Sequence, residues 1–96
     1  MKTIRITAAI SSVFAPKSLL VVIDNKDDNG FDKEYRSRKS FDQEFEAGTG
    51  RYVIKIFGMN QIEGSTTITV SGDFEEAQTQ SSDEVDYVMY FVGTVN

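Results

Sequence analysis

Apolar residues recur along this chain with a period of two, and nowhere at length with a period of 3.6. Ile4, Ile6, Ala8 and Ile10 are interleaved with Arg5 and Thr7. Tyr52, Ile54 and Ile56 recur around Lys55, and Ile68 and Val70 are framed by Thr67, Thr69 and Ser71. Successive residues of a strand point to opposite faces, so this period describes sheets with one dry and one wet face. The expected fold class is all-β.

The 96 residues suffice for one domain. A hydrophobic share of 40%, with seven Phe and four Tyr, supplies one core without covalent staples. Cys is absent, which excludes disulfides, thiolate nucleophiles and thiolate metal sites, and leans towards a bacterial source or a reducing compartment. His is absent too, which removes every Ser-His and Cys-His mechanism and the commonest metal ligand. Without Trp there is no antibody-type core. The net charge of −5 repels phosphate backbones and anionic bilayers, so neither nucleic acid nor membrane insertion is expected. No apolar stretch reaches the ~18 residues of a helical span. The first residues alternate instead of forming the apolar core of a signal peptide. That reads as a cytoplasmic protein, or as the mature form of an exported one with Met1 supplied.

Seven strands are expected: Lys2–Ile10, Ser18–Asp24, Phe31–Arg38, Ser40–Glu46, Arg51–Phe57, Ser65–Ser71 and Tyr87–Val95. The run Leu19 to Ile23 is apolar on both faces and reads as a central strand. Tyr87–Val95 has the same character and the same reading. It also places Tyr87 and Tyr90 on opposite faces. Phe31–Arg38 has only Phe31 and Tyr35 as large apolar residues and reads as an edge. Gly72 to Asp86 has the weakest pattern, and both a helical turn at Asp73–Gln78 and a loop fit it. About seven short strands in a chain of this length suit an immunoglobulin-like two-sheet antiparallel sandwich. Its expected core is Ile4, Ile6, Leu20, Val22, Phe41, Phe45, Ile54, Ile56, Ile68, Val70, Val88 and Val92.

Gly50-Arg51-Tyr52-Val53-Ile54, within Glu46–Ile56, resembles the Gly-x-Tyr-x-Val-x-Val turn and strand of bacterial immunoglobulin-like modules, the PKD and fibronectin type III relatives. The resemblance covers about a tenth of the chain. It implies a sandwich fold in which the Tyr is structural.

Candidate sites are few. Asp24, Asp27, Asp28 and Asp32 lie on a turn-rich segment and offer the oxygen ligands a Ca²⁺ ion needs. An EF-hand register with Gly30 at its sixth position fails, because its twelfth position is Arg36 and not Glu. The alternative is a solvated turn. Lys33, Tyr35, Arg36, Arg38 and Lys39 form a basic cluster that suits an acidic protein or glycan partner, or simply protects an edge strand by charge. Asp42, Glu44 and Glu46 share one strand face and point to solvent, which argues against paired catalytic carboxylates. The chain therefore reads as a non-enzymatic module that binds a protein or glycan through the Asp24–Gly30 and Gly72–Asp86 loops. Self-association through the Phe31–Arg38 edge and a calcium-stabilised domain are the other readings.

Overall fold

The alternating pattern becomes eight strands in the computed structural model, which describes residues 2–96. They are β1 (Lys2–Ser11), β2 (Leu19–Asn25), β3 (Lys33–Ser37), β4 (Phe41–Ala47), β5 (Gly50–Met59), β6 (Ser65–Gly72), β7 (Gln78–Ser82) and β8 (Asp86–Val95). A single 3₁₀ turn, Asn29–Phe31, precedes β3. All ladders are antiparallel, and they form two four-stranded sheets ordered β4-β1-β6-β7 and β3-β2-β5-β8. The sheets pack face to face as a sandwich with a long axis of 39 Å.

The strand beyond the expected seven is β7, within the segment expected as helix or loop. Its sequence Gln78-Thr79-Gln80-Ser81-Ser82 has no large apolar residue, so periodicity could not find it. Polar pairing makes it a strand. Thr79 and Ser81 share hydrogen bonds with Thr69 and Thr67 across the β6–β7 ladder, at 3.0 and 2.8 Å. The β6–β7 hairpin lies between β5 and β8 in the chain and adds its two strands to the sheet of β1 and β4. Tyr52 Oη donates to Gly48 O at 2.9 Å across the β4–β5 corner, a tyrosine corner, and its ring is buried.

The core corrects the register of two strands. Leu19, Val21 and Ile23 face inward from β2, so Leu20 and Val22 lie on the outer face. Tyr87, Met89 and Phe91 face inward from β8, leaving Val88 and Val92 exposed. Ile4, Ile6, Ile54, Ile56, Ile68 and Val70 are buried as expected. Phe41 and Phe45 are half-buried at the seam where β3 and β4 meet. There Tyr35 packs edge-on against both rings, with centroids 4.9 and 5.6 Å apart. β2 is central and β3 is an edge, as the sequence implies. β8 is an edge and not a central strand.

The β8 edge is nevertheless closed. Gln78 and Gln80 reach from β7 and donate to Val92 O and Tyr90 O at 2.8 and 2.6 Å, and Glu75 N donates to Thr94 O at 2.7 Å. These donors occupy carbonyls that another strand would otherwise pair with. Beside them, the Phe74 ring lies over Gly93, where any Cβ would collide with it. This contact seals the sandwich at the end of β8.

Candidate functional site

The two sheets present opposite outer faces. On β4-β1-β6-β7 the outward positions are hydroxyls and charges, among them Thr7, Thr67, Thr69, Glu44 and the ion pair of Arg5 with Asp42. The Arg5 guanidinium holds the Asp42 carboxyl below the usual carboxylate range. Asp42, Glu44 and Glu46 share this wet face, as expected.

On β3-β2-β5-β8 the outward face carries large apolar side chains among charged ones. The register aligns Arg36, Leu20, Phe57 and Val88 in one row across the four strands. The next row is Glu34, Val22, Lys55 and Tyr90, and a third joins Asp24, Val53 and Val92. Val88, Tyr90 and Val92 are 48%, 56% and 66% exposed. An edge strand that is apolar on both faces, with one of them in water, is not explained by the core of this domain.

One end of the sandwich extends this surface. Val13 and Phe14 in the β1–β2 loop, Ile62 in the β5–β6 loop and Val85 in the β7–β8 loop are exposed there, next to Met59. Buried Asn60 ties the β5–β6 and β7–β8 loops together. Its Nδ2 donates to Ser82 O and Glu84 O at 3.0 and 2.7 Å, and its Oδ1 accepts from Thr66 Oγ1 at 2.7 Å. Gln61 Nε2 donates to Ala15 O at 3.0 Å. The apolar side chains therefore stand on hydrogen-bonded loops.

The acidic segment lies at the opposite end, and its carboxylates are already engaged. Asp24 pairs with Lys26 at 2.6 Å. Asp28 Oδ1 accepts from Gly30 N as the cap of the 3₁₀ turn, and Asp32 Oδ1 accepts from Asn25 N. Asp27 grips Arg51 through both its side chain and its backbone N, which holds its carboxyl at about 2. Buried Asn25 organises the turn, its Oδ1 accepting from Asp27 N and Asp28 N at 2.8 and 2.9 Å. Among the described residues no three acidic side chains converge as a metal ligand set. Asp27 holds Arg51 through both oxygens, and Asp24, Asp28 and Asp32 are each held in place by a protein partner on one oxygen. The melting temperature is therefore expected to be the same in millimolar calcium as in EDTA. A rise of several degrees with calcium would assign these residues to a cation site.

Because Asp27 sits below its ordinary value of 3.8, its pairing stabilises the fold above that pH and is lost as pH falls from 3.8 towards about 2. The Asp27→Asn variant is expected to melt lower than the wild type at neutral pH, with the difference closing through that window. A difference as large at pH 2 as at neutral pH would contradict it.

The basic cluster is divided by the alternation of β3. Arg36 lies on the outer face beside Leu20, whereas Tyr35 turns inward to Phe41 and Phe45. Lys33 lies at the start of β3, on the same side as Tyr35. Arg38 and Lys39 sit on the β3–β4 turn, where Ser37 Oγ donates to Lys39 O. The structure does not bring the five together. It brings Arg38 beside Lys17, a residue for which the sequence carried no signal, and sets Arg36 in the adjoining depression. The signal for the apolar face was present in the sequence, as the both-sided apolar pattern of β2 and β8.

Comparison of the chain with protein families, with curated proteins and with solved structures finds no match.

Proposed function

We propose that this protein is a non-enzymatic recognition module that takes a protein partner on the outer face of the β3-β2-β5-β8 sheet. The observation that supports this reading is the contrast between its two outer faces. One is hydroxylated and charged, and the other sets Leu20, Phe57, Val88, Tyr90 and Val92 side by side. Apolar area of that kind is stabilised by covering it, and a half-exposed Tyr between Val88 and Val92 suits a protein interface. The acidic turn is a weaker candidate because its polar groups satisfy one another. Assembly through sheet edges is also less supported. β3 and β4 carry charged side chains along their edges, β7 is short, and the outward carbonyls of β8 accept Gln side chains.

A photo-reactive residue at position 92, with a control at position 69 on the polar face, tests this reading in extract of the native host. A discrete protein adduct at 92, absent at 69 and lost in Val88→Lys, is expected. No adduct above the control, or one indifferent to Val88→Lys, would overturn the assignment.

A further inference from the structure

We propose that the corner of this face where Arg36 flanks Leu20 and Phe57, and Lys17 and Arg38 flank the adjoining Met59, binds an acidic peptide segment bearing an apolar side chain. The inference deepens the proposed function and rests on it. Two adjoining depressions meet here and share Ser18 and Met59. One runs along Leu20, Phe57 and Met59 with Arg36 beside it, and the other lies between Pro16, Lys17 and Arg38. The floor is rigid. Tyr87 packs beneath it over Gly58, at a spot that any Cβ would fill, and burial pushes its phenol pKa up.

Charge identifies the occupant. The chain carries a net −5, and Arg5, Lys26 and Arg51 are each engaged with a carboxylate. Among the described residues Lys17, Arg36 and Arg38 form no ion pair, and they line two adjoining depressions that meet at Met59, Arg36 in one and Lys17 with Arg38 in the other. Asp86, opposite Met59 in the ladder, and Glu34 are the acidic residues nearest this corner on the outer face. Carboxylates of a bound segment would reach the three cations while its apolar side chain covers Phe57 and Met59. A bilayer fits less well. The end bearing Val13 and Phe14 also carries Glu63, Asp83 and Glu84, so an anionic membrane would meet as many carboxylates there as cations.

Selection of short random peptides displayed on phage against the full chain tests the proposal, with vesicles of phosphatidylcholine and phosphatidylserine as a second arm. Enriched peptides are expected to be net acidic and to contain an aromatic or aliphatic residue. Their affinity should fall about tenfold or more in the Arg36→Glu/Arg38→Glu variant, and should weaken with salt. The two positions are exposed, and the melting temperature of the variant verifies its fold. Neutral or basic winners, no enrichment, or affinity unchanged in the variant would overturn the proposal. Co-sedimentation with vesicles, abolished by the same variant, would assign the corner to a membrane instead. If the peptides fail while the adduct at position 92 persists, only this inference falls. If both fail, the recognition face falls with it.

Discussion

Replacing Phe91 by Ala is expected to destabilise the protein by about 3–5 kcal/mol, while the same replacement at the adjacent Val92 changes stability by less than about 0.5 kcal/mol. Phe91 is fully buried between the sheets, whereas Val92 is 66% exposed. The first change removes an aromatic ring from the core and leaves a cavity that eight strands cannot collapse around. The second removes two methyl groups that already face water. Against a total stability on the order of 5–15 kcal/mol, the first effect is a large fraction of the whole. Denaturant midpoints with unchanged slopes measure both. Equal losses at the two positions would mean that β8 is covered on both faces, and would remove the basis of the recognition face.

Asn60→Ala is expected to cost about 2–4 kcal/mol, lowering the melting temperature by about 10–20 °C. The substitution leaves Ser82 O, Glu84 O and the Thr66 hydroxyl without their partner. Two of the three sit near the surface, where water can reach them, which keeps the cost below that of three wholly buried groups. Asn60→Asp discriminates the mechanism. Its carboxylate would face two carbonyl oxygens, so its folded pKa lies above the unfolded value. Stability of that variant is therefore highest at low pH and is lost as pH rises through the carboxyl pKa. Melting temperatures of Asn60→Asp that do not fall with rising pH would show that Asn60 does not donate to these carbonyls. Loosening of the loop that carries Val85 should accompany either change, read as faster amide exchange at Glu84 and Val85.

The two positions differ in how far they could be read from the sequence. In β1 the two parities differ chemically, Ile4 and Ile6 against Arg5 and Thr7, so the inward face is legible and is the observed one. In β8 both parities are apolar, Tyr87, Met89 and Phe91 against Val88, Tyr90 and Val92. Alternation then says only that neighbours point opposite ways. A one-residue change of register swaps the faces completely, and what decides is the pairing with β5 and the position of the other sheet. The same holds for Leu20 and Val22 in β2. β7 was illegible for a different reason. Its stability as a strand comes from hydroxyl pairs to β6 and glutamine bonds to β8, partners distant in sequence or on another sheet.

The sequence by itself determined the all-β class, the wet face of β1, β4 and β6, the edge character of β3 and the absence of any His or Cys chemistry. Local alternation, turn residues and composition carry those facts within a few neighbouring positions. Only the tertiary structure decided which face of β2 and β8 is dry, that the acidic turn satisfies itself, and that Lys17 and Arg38 stand beside Met59. Those outcomes depend on contacts between residues far apart in the chain, where the side chains of one element set the environment of another.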